Sequence, residues 1–238
     1  MTKTVRADGS RCHALRQAVC RVLPALLCAS LARASNGDVS RDVLCVTDGT
    51  VQDSAQGFTV DSPQLRAFVR LPIADEAQLH FTYLGPTDQQ VALGSGVVRA
   101  QLGLKLRAAD PCNLIYVMWR ITPEPKLVVQ TKSNPGQRTS HECGNRGYQT
   151  VKGERTTPVP GPRAGESHVL QAQITADRLR ASIDGRVVWQ GAVAGAGAFT
   201  GPVGMRSDNV RYSFRLNVGP GSPLAGTLPA CDARESGE

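Results

Sequence analysis

Between Ser133 and Tyr148 the chain reads SNPGQRTSHECGNRGY, a segment dense in side chains suited to holding a polar ligand. Asn134, Gln137, Arg138, His141, Glu142, Asn145, Arg146 and Tyr148 all fall within it. Planar amides and charged groups hydrogen-bond hydroxyls, and an aromatic face stacks on a sugar ring. The neighbouring run NLIYVMWRI offers such a face in Trp119, with Tyr116 and Arg120 beside it. The expected ligand-binding set is therefore Arg138, His141, Asn145, Arg146, Tyr148, Trp119 and Arg120. The plainer reading is a solvated loop whose polar groups satisfy their own backbone, with Trp119 packed in a core.

Other constellations are weaker. The acids fall in loops, turns and strand ends, and no strand interior carries two on one face, so a glycosidase carboxylate pair is unsupported. His80, His141 and His168 lie in no nucleophile motif such as G-x-S-x-G. Ser207-Asp208-Asn209 is the most oxygen-rich triplet, but one acid holds Ca²⁺ poorly, and the triplet reads as a turn entering the last strand. No catalytic residue, metal or cofactor is expected, and the chain reads as a binding protein rather than an enzyme.

The elements that must position these residues are strands. Leu65, Ala67, Val69 and Leu71 alternate with Arg66 and Arg70, and Ala77, Leu79, Phe81 and Tyr83 with Gln78, His80 and Thr82. Val98, Ala100, Leu102, Leu104 and Leu106 oppose Arg99, Gln101, Lys105 and Arg107. A period of two marks a half-buried strand. Asn113 to Ile121 is apolar on both faces and reads as a central strand. Lys126 to Lys132 and Val169 to Thr175 add two more. Leu179 to Ile183 then meets Asp184-Gly185, which supplies the two positive-φ positions of a tight hairpin, and Val187 and Trp189 lead back. Tyr212, Phe214, Leu216 and Val218 form the closing strand. No mature segment carries a helical stripe, so about a dozen strands predict an all-β, two-sheet antiparallel sandwich.

The first thirty-four residues are set apart. Lys3, Arg6, Arg11, Arg16 and Arg21 precede the apolar run Val22 to Ala32, and Ala32-Arg33-Ala34 offers a signal-peptidase site. The expected organisation is a cleaved signal-peptide helix over 1–34, a sandwich over 35–232 and a flexible tail over 233–238. The apolar run is too short to span a bilayer, so no membrane anchor is expected. Of 27 basic and 20 acidic residues the leader holds six and one, which leaves a mature net charge of +2. The basic pI therefore belongs to the leader, and nucleic acid is not an expected partner. Cys45, Cys112, Cys143 and Cys231 remain after cleavage. An even number in an exported chain suggests two disulfides with three possible pairings, and their wide spacing argues against zinc.

The D-G hairpin, the W-x-G at Trp189 to Gly191 and the run GPVGMRSDNVRYSFRLNV resemble the closing half of a concanavalin A-like lectin/glucanase jelly roll. The pattern is similar to laminin-G-like domains and, more closely, to the family named for 3-keto-disaccharide hydrolases. The resemblance implies that both chain ends lie together, which favours Cys45–Cys231, just outside the first and last strands, and leaves Cys112 with Cys143. Glucanases of this fold carry an E-x-D-x-x-E run and legume-type lectins a D-x-F-x-N-x-x-D loop, and this chain has neither. The function expected is glycan or polysaccharide recognition by an exported, non-catalytic lectin-like module, in the periplasm, at the cell surface or secreted. A secreted glycoside hydrolase and a structural or adhesive surface module are the alternatives.

Overall fold

Period-two alternation gives each strand one apolar face, and two sheets bury those faces against each other. The computed structural model describes residues 37–71, 73–222 and 231. The expected leader, its cleavage site and the tail beyond Cys231 lie outside the described residues.

One sheet has seven strands in the order Tyr148–Thr150, Lys126–Lys132, Asn113–Thr122, Ala100–Asp110, Gly204–Asp208, Gln64–Val69 and Leu44–Asp48. The other has nine. Arg155–Thr156, Arg186–Ala192, Arg178–Ile183, Ser167–Thr175, Glu76–Pro86, Val210–Val218, Gly57–Val60 and Gln52–Ser54 run in that order, and Gly37–Asp38 also pairs with Val210–Val218. Every pairing is antiparallel. The result is the all-β sandwich that the alternation predicts.

The core lies between the sheets. Leu102, Leu104 and Leu106 with Ile115, Val117 and Trp119 meet Leu79, Phe81, Leu170, Ile174, Tyr212, Phe214 and Leu216, and all are buried. Each such aliphatic or phenylalanine side chain contributes about 1.5–3 kcal/mol by leaving water. The hairpin at Asp184-Gly185 forms as expected, with φ of 50° and 78° and Ile183 paired to Arg186. The central position of Asn113–Thr122 is also as expected.

Several local expectations are corrected. Ser207 and Asp208 are not a turn: Gly204–Asp208 is a strand of its own, between Ala100–Asp110 and Gln64–Val69. Only Asn209 turns, at φ 57°. Cys45 lies inside Leu44–Asp48 rather than outside it, because that strand forms the sheet edge by pairing with Gln64–Val69. The strand expected from Val98 begins at Ala100, and Val98 makes only an isolated bridge to Ala92. Arg107 leaves the alternation through a register break and a φ of 48°, which turns its guanidinium onto Asp75 at 2.7 Å and onto the Ala196 carbonyl at 3.0 Å.

Both disulfides pair as the resemblance implied, Cys45 with Cys231 and Cys112 with Cys143, with Cα atoms 5.3 and 5.8 Å apart.

Candidate functional site

The outer face of the seven-stranded sheet is where polar side chains are buried. Register places three cross-strand rows on it. Arg66, Arg206, Gly103 and Met118 form one; Gly204, Lys105, Tyr116 and Gln130 form the next; Asp208, Gln101 and Arg120 form the third. Directly opposed residues share a face. Gly103 is the low point of its row: a Cβ there would lie 2.2 Å from the Val117 carbonyl oxygen and 2.9 Å from Met118 Sδ. The neighbouring strand and the Met118 side chain thus close in over Gly103.

A cleft of about 270 Å³ opens over these rows. Tyr116, Met118 and Gln101 form its floor, Arg206, Arg120 and Gln130 its flanks, and two loops its walls. One wall brings Leu93, Ser95 and Arg99, the other Asn145 and Tyr148. The walls meet, since a Cβ on Gly94 would lie 2.0 Å from Asn145 Nδ2.

A buried ionic network holds the floor. Asp208 is fully buried, with Oδ1 accepting from Arg66 Nη2 at 2.8 Å and Oδ2 from Gln101 Nε2 at 2.7 Å and Arg206 Nε at 2.9 Å. Arg66 Nη1 also donates to the Leu65 and Ser207 carbonyls, each at 2.9 Å. Burial alone would raise the Asp208 carboxyl, but Arg206 and Arg66 outweigh it and hold the pKa at about 2. Arg206 then continues outward. Its Nη1 donates to the Tyr148 hydroxyl at 3.1 Å, and its guanidinium lies 5.4 Å from the Tyr116 ring centre. The Tyr116 and Tyr148 rings stack at 5.8 Å, and Lys132 Nζ sits 5.0 Å from the Tyr148 ring.

Asn209 organises the wall that carries Arg99. Its buried side chain accepts from the Val91 N–H at 2.8 Å and donates to the carbonyls of Val91 and Arg99 at 2.8 and 2.9 Å. Both ends of the 91–99 loop are therefore clamped by one amide. Arg120 is the least satisfied group. Its Nε is buried and finds no acceptor among the described residues. Desolvation, then the Arg99 guanidinium, lowers its pKa from the usual arginine value, and Glu124 opposes the change.

Of the seven residues expected from sequence, Asn145, Tyr148 and Arg120 line the cleft. Trp119 does not: it is a core residue, edge-on to Phe81 and His168, with Nε1 donating to the Pro160 carbonyl at 3.2 Å. Successive residues of a strand face opposite ways, so Trp119 and Arg120 cannot serve one site. Arg138, His141 and Arg146 are exposed but lie outside the cleft lining. Their segment is less a loop than a braced turn of helix, Ser140–Cys143. Glu142 Oε2 accepts from the Arg138 and Thr139 N–H groups, each at 2.8 Å, which lowers the Glu142 pKa, and Arg146 donates to the Cys143 and Glu142 carbonyls. Asn134 Nδ2 donates to the carbonyls of Cys112 and Arg146.

Arg66, Arg99, Gln101, Gln130 and Arg206 were not among the expected site residues, and Asp208 was weighed only as a Ca²⁺ ligand in a turn. The one available signal was charge on strands of the central sheet. Among the described residues the cleft lining holds no carboxylate, Asp208 lies buried beneath it, and no group of three or more His, Cys, Asp or Glu side chains is placed to hold a metal. On the other sheet His168 Nδ1 lies 2.8 Å from Asp184 Oδ2, but its Nε2 faces Glu166 at 3.5 Å rather than a serine hydroxyl.

No protein-family description and no curated protein matches the chain. Among solved structures, the carbohydrate-binding module CBM66 from Bacillus subtilis overlaps with a TM-score of 0.52 at 16% identity, over 76% of this chain and 96% of that one. The Crh5 transglycosylase in complex with NAG gives 0.47 at 16% identity, covering 80% and 86% of the two chains. The metal-free Emp46p carbohydrate recognition domain gives 0.46 at 8%, covering 76% and 89%. The overlap with the CBM66 module shows a shared two-sheet β-sandwich fold.

Proposed function

We propose that the protein is an exported, non-catalytic glycan-binding module that takes its ligand in the cleft over the seven-stranded sheet. The observation that carries this reading is the lining itself. Two amides (Gln101 and Gln130), a third on the wall (Asn145), fixed guanidiniums and the half-buried Tyr148 ring converge on one small opening. Those are the groups that read ring hydroxyls and an apolar sugar face. The likeness to a carbohydrate-binding module supports the fold of such a protein, and the site argument supports the ligand class.

Hydrolysis fits the cleft less well. A glycosidase needs two carboxyl groups about 5–9.5 Å apart across the scissile bond. Among the described residues the cleft lining carries no carboxyl group, and both oxygens of Asp208 beneath it are taken. The resemblance to the 3-keto-disaccharide hydrolase family therefore extends to architecture and not to a mapped catalytic pair. Two disulfides suit an oxidising compartment, which supports export, cleavage near Ser35 and a mature sandwich over 35–232 with a short tail. No helix among the described residues is long and apolar enough to cross a membrane.

The test is a glycan array with the mature chain, followed by titration calorimetry on the best ligand. Gln130→Ala is expected to weaken binding at least tenfold with an unchanged melting temperature. Binding that ignores substitutions in the cleft would move the site elsewhere, and an array without a single ligand would sink the glycan reading.

A further inference from the structure

The cleft is more than polar: it is cationic. Arg99, Arg120 and Arg206 all line it, and Lys105 and Lys132 are buried on the same sheet face. Asp208 is taken up by Arg66, Arg206 and Gln101 beneath the opening and makes no contact with Arg99 or Arg120. Arg99 and Arg120 are different from Arg206. The Arg99 side chain makes no hydrogen bond or ion pair among the described residues, and Arg120 Nε is buried without an acceptor. Two like charges are thus brought together at the cleft, one of them half-desolvated, with no carboxylate between them. Such an arrangement costs free energy unless an anion completes it. Glu124, whose charge acts on Arg120, is exposed and is taken by Lys126.

We infer that the ligand of this cleft is an anionic sugar residue, whose carboxylate or sulfate lies between the guanidiniums of Arg99 and Arg120. This deepens the glycan reading and rests on it. A guanidinium offers paired N–H donors that match either oxyanion, which a hydroxyl-bearing neutral sugar matches only in part. Asn209 is the positioning residue. By holding the Val91 and Arg99 carbonyls it fixes the backbone from which Arg99 reaches the cleft. Tyr148, Gln101 and Gln130 would then contact the remainder of the ring.

The experiment compares four oligosaccharide probes on the mature chain: oligogalacturonate, its methyl ester, a sulfated galactan fragment free of uronate and a neutral glucan. Oligogalacturonate or the sulfated fragment should bind at least tenfold more tightly than the ester and the glucan, and whichever binds identifies the oxyanion. That preference should shrink as salt rises, because exposed charge attraction is screened over ~10 Å at 0.1 M. Arg120→Gln and, separately, Arg99→Gln should each remove most of the preference, read as the ratio of acid to ester affinity for the same variant. Arg99 is half-exposed, so its variant reports on binding even if the Arg120 variant folds poorly. Equal binding of acid and ester, or variants that leave the preference intact, would overturn the anionic assignment and leave glycan binding standing. Silence from all four probes, with no ligand on the array, would remove both.

Discussion

The two sheets carry opposite solutions to the same problem, an outer face that the core does not need. On the nine-stranded sheet the outward charged residues include Arg178, Arg180 and Arg215, all exposed. Gln173 is exposed and Gln171 half-buried, and both lean on Glu76, with Nε2 to carboxylate distances of 3.4 and 2.8 Å. On the seven-stranded sheet the outward residues include Arg66, Lys105, Lys132, Arg206 and Asp208, all buried. Taking ions from water costs several kcal/mol each, and a hydrophobic replacement is often no less stable. A fold has no structural need for such a face. The contrast teaches that burial of charge, rather than exposure of polarity, sets the face with the candidate cleft apart from the other.

The comparison breaks most visibly at Asp208. Asp208→Ala strips the carboxylate from two buried guanidiniums and is expected to cost about 3–5 kcal/mol in chemical denaturation. Acid should reproduce part of that loss. The folded pKa of Asp208, about 2, is below the unfolded value. Its contribution, about 2–3 kcal/mol, is present above roughly pH 4 and lost as pH falls through the folded value. A melting temperature insensitive to pH between 4 and 2 would contradict the network. A smaller effect is expected one residue on. Asn209→Ala removes three hydrogen bonds from the 91–99 loop and should cost about 1–3 kcal/mol, with faster amide exchange at Val91. The smallest belongs to the other sheet, where Gln173→Ala should stay within ~0.5 kcal/mol of the parent. If it costs as much as Asn209→Ala, the two faces are not as different as they look.

The architecture was legible because each core strand announces itself locally. Leu102, Leu104 and Leu106 or Tyr212, Phe214 and Leu216 need no partner to show their period, and Asp184-Gly185 can do little else than turn. The site was legible only where local pattern reached it, through Asn145, Tyr148 and Arg120. Arg66 and Asp208 are 142 residues apart, and sheet register alone joins them. Nothing near Asp208 in sequence shows that it is buried. Trp119 was misplaced for a reason the strand itself contains: odd residues from Ile115 to Ile121 face the core, even ones from Tyr116 to Arg120 the cleft. The apolar outer positions Tyr116 and Met118, which first read as signs of a central strand, are the floor of the opening.

Apart from the two-residue strand Gly37–Asp38, which lies outside the clasp, a pull on the chain from beyond Cys45 and Cys231 would not reach the sheets as a peeling force. The bond between them, spanning 186 positions of sequence, carries the tension directly, and no strand between need unzip for the load to pass. Antiparallel strands pulled from one end separate a hydrogen-bonded pair at a time, which is the weak direction of a sandwich. With the clasp closed that route is shut. A domain that grips an anchored polymer against flow would then let go at its ligand before it came apart, and could grip again.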